Sequence, residues 1–249
     1  MSDNFSGKTA LITGSTSGIG RATAEKLAAS GARLVISGRD RTRGKATVAA
    51  IREAGGTADF VATELSDVSS VRNLAARALE FGGGRIDLLV NNAGIFPFGA
   101  TADVTDDEID AVAAVNVKAP FLLVAALAPV MAAKGSGAIV NISTMVANFG
   151  MPGMALYGSS KAALQLLTKS WAAEFGPHGV RVNAVSPGPT RTEGTAGMGE
   201  GLDQLAATTP IGHPGAAVDV ADAIVFLLSD SARHIHGAVL PVDGGRLAV

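Results

Sequence analysis

Short, continuous apolar runs alternate with helical stretches along nearly the whole chain. The runs are TALIT (9–13), RLVIS (33–37), DFVAT (59–63), DLLVN (87–91), AIVNI (138–142), RVNAV (181–185) and AVLPV (238–242). Most do not alternate apolar with polar residues, and strands covered on both faces have this pattern. Between them lie GRATAEKLAAS (20–30), SSVRNLAARALEF (69–81) and VADAIVFLLSD (220–230). Repeated strand–helix alternation predicts an α/β fold, a doubly wound Rossmann-type parallel sheet of about seven strands with helices on both faces. No linker, low-complexity block or repeat breaks the pattern, so residues 1–249 are expected to form a single domain. The weakest stretch is 188–215, rich in Gly, Thr and Pro. After a strand's carboxyl end such a segment is a natural mobile lid over a ligand crevice.

The first predicted strand runs into TGSTSGIG (13–20) and then a helix. Gly14, Gly18 and Gly20, with Ser15, Thr16, Ser17 and Ile19 between them, give a turn that lets a phosphate ester approach the backbone. The helix start offers unpaired N–H groups and a positive dipole end to a pyrophosphate. An acid closing the second strand would hold an adenosine ribose 2′-hydroxyl. Here Gly38 stands at that position and Arg39 follows. A guanidinium pairs with the oxygens of a 2′-phosphate, which a carboxylate repels. NADP(H) is therefore favoured over NAD(H).

Composition narrows the classes. Hydrophobic residues are 47% and charged residues 17%, enough apolar material for a large core. The formal net charge of -2 gives no electrostatic footprint for nucleic acid. Cysteine is absent, which removes disulfides, thiolate metal sites and a cysteine nucleophile and fits a cytoplasmic location. The opening MSDNFSGKTA lacks the basic and apolar regions of a signal peptide. The most membrane-like segment, 119–133, contains Pro120 and Pro129 and is shorter than the roughly 20 apolar residues of a span, so no membrane association is expected. His178, His213, His234 and His236 have no metal-site spacing, and no metal is expected.

The single tyrosine lies in ALYGSSKAAL (155–164), with Tyr157 and Lys161 four residues apart on one helical face. A nearby ammonium would favour the phenolate and lower a phenol pKa of about 10. The small residues Gly158, Ser159 and Ser160 would let a cofactor approach that helix.

Together these segments resemble the short-chain dehydrogenase/reductase family in its form of about 250 residues, over nearly the whole chain. The resemblance rests on TGSTSGIG (13–20), NNAG (91–94), Asn116, YGSSK (157–161), SPGPTRT (186–192) and VDGG (242–245). It implies that Tyr157 exchanges a proton with the substrate oxygen and that Lys161 also holds the nicotinamide ribose. Asn116 would maintain a water chain. The family places a serine 13 residues before the tyrosine; that position is Thr144 here, with Ser143 beside it as the reserve. Adjacent strand residues face opposite ways, so the two hydroxyls should not both reach substrate. Glu64, with Leu65, stands where the family has an adenine-binding Asp. Asn91, Ala93 and Gly94 would border the ribose, and Pro187, Gly188 and Thr190 the nicotinamide carboxamide.

The implied activity is hydride transfer between NADP(H) and a ketone or secondary alcohol. Its small-molecule substrate would be largely apolar, with IFPFG (95–99), Met145, Phe149, Met151 and Met154 as candidate walls, while Arg191 could meet one acidic group. Alternatives are an NAD-dependent alcohol dehydrogenase, a 3-oxoacyl carrier-protein reductase and a non-catalytic dinucleotide sensor. The resemblance also implies a homodimer or homotetramer.

Overall fold

All seven apolar runs form strands: β1 (Thr9–Ile12), β2 (Arg33–Gly38), β3 (Thr57–Ala62), β4 (Leu88–Asn91), β5 (Gly137–Ile142), β6 (Val180–Pro187) and, last in the chain, β9 (Val239–Val242). The structure, a computed structural model, describes residues 4–249, so the first three residues of MSDNFSGKTA lie outside the described residues. The strands build one parallel sheet in the order β3-β2-β1-β4-β5-β6-β9. The helices are α1 (Gly18–Ala29), α2 (Arg41–Glu53), α3 (Val68–Phe81), α4 (Asp106–Ala113), α5 (Ala119–Lys134), α6 (Ala155–Phe175), α7 (Glu200–Ala206) and α8 (Ala217–Leu228).

The continuous apolar runs follow from burial on both faces. Ala10 and Ile12 of β1 enter a core with Leu27 of α1, Ile51 of α2 and Ile224 of α8. Leu11, between them, enters a second core with Leu74 of α3, Leu127 of α5 and Leu164 of α6. The two-residue strand period thus divides one run between two layers. Each fully buried Leu or Ile contributes about 1.5–3 kcal/mol by leaving water.

Between β1 and β4 the strand order reverses, because the chain crosses from edge strand β3 back to the centre. A crevice opens at such a switch point, at the carboxyl ends of the strands. Asp40, Asp67 and Thr105 cap α2, α3 and α4 with their side chains.

Three features differ from the sequence expectation. The apolar segment 119–133 belongs to a continuous helix, Asp106–Lys134, long and apolar enough by length and composition to cross a membrane. The length argument against a span therefore fails, although Leu123, Val124, Leu127 and Met131 are buried against the sheet. Within that helix Ala114–Lys118 is a π turn, in which the Ala119 N–H reaches back five residues to the Ala114 carbonyl. Pro120 explains the widening, because it has no N–H to return to the Asn116 carbonyl. Finally, 188–215 is not irregular throughout. A two-residue strand β7 (Thr190–Arg191) pairs with β8 (Gly215–Ala216), and α7 lies between them. An element as short as α7 is too brief to display a helical period.

Candidate active site

The first strand ends at the turn that the glycines make possible. Gly14 and Gly18 have φ of +63° and +51°, a region that strains any side chain. A Cβ on Gly14 would lie 3.0 Å from the Ala93 Cα. One on Gly20 would lie 2.4 Å from both the Asn92 side chain and the Gly14 carbonyl. Asn92 clamps the turn: its side-chain nitrogen donates to the carbonyls of Thr13 and Gly14 at 2.8 and 3.0 Å. Nothing but its place in NNAG signalled this residue.

Beside the turn is a cavity of about 290 Å³. Gly14, Thr16, Ser17, Gly18 and Ile19 form one wall, Gly38 and Arg39 another, and Glu64 and Leu65 a third. Ala93 and Gly94 close it. Ser37 also faces it, and its buried hydroxyl oxygen has no hydrogen-bond partner. Three residues expected to bind cofactor reach neither this cavity nor the one that adjoins it. Ser15 is buried with its hydroxyl on the Ile12 carbonyl, Gly20 packs behind the turn, and Asn91 sits inside the sheet bonded to Asn141. Their contributions are to the turn and the sheet. Arg43, overlooked in the sequence, lines the same cavity but is paired with Asp40 at 2.8 Å.

A second cavity, of about 210 Å³, adjoins the first through shared walls at Asn92, Gly94, Phe96 and Thr192. Its polar end contains Thr144, Tyr157 and Lys161. The α6 helix that carries the last two is fixed by a buried polar chain. Asn91 donates to Asn141, Asn141 to Thr168, and Thr168 to the Leu164 carbonyl, each at 2.8 Å. Asn116, buried in the π turn, braces the other side. It takes the Ile95 N–H at 2.9 Å and donates to the Ile95 carbonyl at 2.9 Å and the Ser160 hydroxyl at 3.0 Å. No side-chain hydrogen bond of Asn116 reaches Tyr157 or Lys161, so its visible contribution is positioning. Ser160 in turn donates to the Tyr157 carbonyl at 2.7 Å.

The Thr144 hydroxyl lies near enough to Tyr157 to favour its phenolate, whereas the Ser143 hydroxyl donates to the Lys161 carbonyl at 3.4 Å and accepts from Gln165 at 2.9 Å. Both lie just beyond β5 and both border the second cavity, contrary to the alternation expected of adjacent strand residues, but the Ser143 hydroxyl is engaged by partners on α6. Lys161 is buried, and its ammonium donates to the Ile142 carbonyl at 2.8 Å. A Cβ on Gly94 would come within 3.0 Å of that nitrogen. Gly158 serves packing rather than ligand approach, because a Cβ there would lie 2.8 Å from the Val146 carbonyl.

The expected lowering of the phenol by its lysine is overturned. Burial pushes Tyr157 up to about 12, and the nearby Thr144 hydroxyl only partly opposes it. Tyr157 keeps some solvent contact, but the protein packed round it still disfavours the phenolate. Burial likewise lowers Lys161 to about 8. Its nitrogen lies 6.0 Å from the centre of the Tyr157 ring. Desolvation outweighs attraction between the two.

The rest of the second cavity is largely apolar, with Ser143, Thr190, Thr192 and Thr195 as further hydroxyls on its wall. Met145, Met151, Met154, Met198, Leu202 and Leu205 line it, and Phe96 meets the Tyr157 ring edge-on at 6.0 Å. Pro187, Gly188 and Thr190 lie at its margin, where the Thr190 hydroxyl is bonded to the Gly188 carbonyl. Phe149 is elsewhere, stacked with the Arg246 guanidinium at 4.9 Å. Arg191 is paired with Asp203 of α7 at the surface, so it is not free to meet a substrate acid. Lys161 is the only ionisable cation on the cavity wall. Among the described residues no three His, Asp or Glu side chains form a metal-type cluster.

A family profile described as enoyl-(acyl carrier protein) reductase matches residues 14–246. The cis-4-hydroxycyclohexanecarboxylate dehydrogenase of Sinomonas cyclohexanicum is 41% identical over 257 residues, spanning 100% of both chains. The 2,5-dichloro-2,5-cyclohexadiene-1,4-diol dehydrogenase of Sphingobium indicum is 39% identical over 246 residues, 98% of each. A solved short-chain dehydrogenase from Burkholderia cenocepacia, in complex with NADP, has a TM-score of 0.91. It is 38% identical and covers 98% of this chain and 100% of its own. The chain belongs to the short-chain dehydrogenase/reductase family, oxidoreductases that act on alcohol and carbonyl groups.

Proposed function

We propose that the protein is an NADP(H)-dependent oxidoreductase for compact, uncharged ketones or secondary alcohols. The observation that carries the reading is the meeting of two unlike cavities at Gly94 and Phe96, one with a glycine turn and Arg39, the other apolar around Tyr157. The residues fit the dinucleotide: the glycine turn offers backbone N–H groups, Arg39 a cation, and Ser37 an orphaned buried hydroxyl. Gly14, Thr16, Ser17, Gly18 and Ile19 would hold the pyrophosphate, Arg39 the 2′-phosphate, and Glu64 and Leu65 the adenine side. Bound there, the nicotinamide supplies the hydride acceptor or donor.

The protein's part is orientation and proton transfer. Tyr157 moves the proton at the substrate oxygen, as acid in reduction and base in oxidation. Thr144, whose hydroxyl acts on the Tyr157 phenol, holds the same oxygen. Lys161 keeps a cation beneath the site, and Asn116 braces the loop and helix that flank it. A phenol near 12 is a weak acid, so positive charge arriving with an oxidised nicotinamide would favour its phenolate. The thioether-rich wall suits varied apolar shapes. The cyclic substrates in the relatives' names fit that wall, although a carboxylate would find no free arginine there. The lid is assigned to 188–215, whose α7 supplies Leu202 and Leu205 to the cavity. A cytoplasmic homodimer or homotetramer is the proposed setting.

Titration with NADPH and NADH, followed by a screen of cyclic ketones and alcohols, tests this reading. Tighter NADPH binding with turnover of neutral cyclic substrates is expected. Turnover confined to carboxylate-bearing or carrier-bound substrates would overturn the substrate class, and tighter NADH binding would overturn the cofactor choice.

A further inference from the structure

The start of α1 is served by a residue from the other end of the chain. Ser17, at its N-cap, makes no side-chain capping bond, and its first turn has no acidic residue. Instead the Gly18 N–H donates to the Glu193 carboxylate at 2.8 Å, across 175 residues of sequence. That is the only hydrogen bond of the Glu193 side chain among the described residues, and it forms no ion pair. Thr192 packs against the same glycine, with its Cβ 3.2 Å from where a Gly18 side chain would begin. Thr195 anchors the base of this segment through the Thr190 carbonyl at 2.8 Å. Downstream, Met198, Leu202 and Leu205 cover the apolar cavity.

A helix start attracts anions through its free N–H groups and its dipole. The Glu193 carboxylate is such an anion, and it stands on the turn that would receive a pyrophosphate. Two like charges at that spot oppose each other. We propose that Glu193 is an intramolecular competitor for the pyrophosphate position. It lowers the affinity for any dinucleotide and latches the covering segment to α1 until the dinucleotide displaces it. This proposal rests on the assignment of the polar cavity as the dinucleotide site. It differs from the assignment of Arg39 in its selectivity: Arg39 distinguishes NADP(H) from NAD(H), whereas Glu193 opposes both equally.

The test compares wild type, Glu193→Gln and Glu193→Ala, titrated with NADPH, NADH and adenosine 2′-monophosphate. Glu193 is exposed on a loop, so neither variant removes packing. Both variants should bind NADPH and NADH about two- to five-fold more tightly, by the same factor for each, the range expected of one exposed charge at a helix start. Adenosine 2′-monophosphate has no pyrophosphate, and its affinity should not change. Backbone hydrogen exchange over residues 192–206 should be faster in the cofactor-free variants than in cofactor-free wild type. Unchanged or weaker dinucleotide binding in both variants would overturn the latch while leaving the dinucleotide site intact. Equal tightening of the monophosphate would also overturn it, by moving the effect away from the pyrophosphate. A wild type that binds neither dinucleotide would remove the site and the latch together.

Discussion

The two cavities are built by different means. In the polar one, backbone makes the shape: Gly14 and Gly18 adopt positive φ, and Asn92 ties their turn down. In the apolar one, side chains make it, brought by the loops after β4, β5 and β6 and by α6 and α7. A site made of backbone tolerates little change in residue size but recognises a common ligand. A site made of Met and Leu side chains can be altered one wall at a time. If the polar cavity holds the dinucleotide as proposed, one fold can keep a cofactor and vary a substrate.

Replacing Tyr157 with Phe should produce the largest separation between the cavities. Loss of the proton donor should lower kcat/KM by about 10²–10⁴-fold. Dinucleotide affinity should stay close to wild type, because the polar cavity is untouched. Steady-state kinetics with a fluorescence titration measures both, and retained turnover would end the proposed chemistry. Replacing Arg39 with Ala acts on the opposite side. NADPH binding should weaken by about 10–100-fold, the range for charge-assisted hydrogen bonds, while NADH binding barely moves. Equal weakening of the two would remove the 2′-phosphate contact.

The difference between the cavities is also a difference in legibility. The seven strands were visible because a strand covered on both faces must be apolar throughout, and the glycine turn because its parts lie within seven residues. Tyr157 and Lys161 were visible for the same local reason. The Asn116 brace depends on a π turn, whose one sequence signal is Pro120 four residues later. The Glu193–Gly18 bond and the Asn92 clamp join distant segments, and no periodicity carries such contacts. Burial misled the reading of Tyr157: spacing showed a cation within reach but not how much water the fold removes from the phenol.

Lys161 stands at the polar end of the apolar cavity, beside the shared wall at Gly94, and its protonation sharpens the contrast. Burial lowers it to about 8, whereas an unfolded chain holds the proton to about 10.4. Below pH 8 both states are protonated and the full desolvation cost is present. As pH rises from about 8 to 10.4 the unfolded state binds more protons, so this destabilisation is relieved. Lys161→Met removes the buried charge. It should therefore be more stable than wild type at pH 7, by about 1–3 kcal/mol, and should lose that advantage near pH 10. Urea unfolding at the two pH values checks the sign, and a less stable variant at pH 7 would mean that the bond to the Ile142 carbonyl outweighs burial. Because the chain has a single tyrosine, tyrosinate absorbance reads Tyr157 alone. The free protein should titrate near 12, and added NADP+ should lower that midpoint.

The smallest expected effect separates two neighbouring hydroxyls. The Thr144 hydroxyl acts on the Tyr157 phenol, whereas Ser143 is engaged with the Lys161 carbonyl and Gln165. Thr144→Ser keeps the donor and acceptor and removes one methyl, so kcat/KM should change by no more than about three-fold. Ser143→Ala should also leave kcat/KM within about three-fold, while leaving the Gln165 amide short of an acceptor and lowering stability by about 1 kcal/mol. Thr144→Ala should lower kcat/KM by at least about ten-fold, because the oxygen beside Tyr157 loses its second partner. The reverse ranking, with Ser143→Ala inactive and Thr144→Ala active, would make Ser143, which also borders the cavity, the hydroxyl that meets the substrate. Taken together, the three variants ask whether the reacting end of the apolar cavity is as firmly prearranged as the glycine turn, or takes its final form only around a substrate.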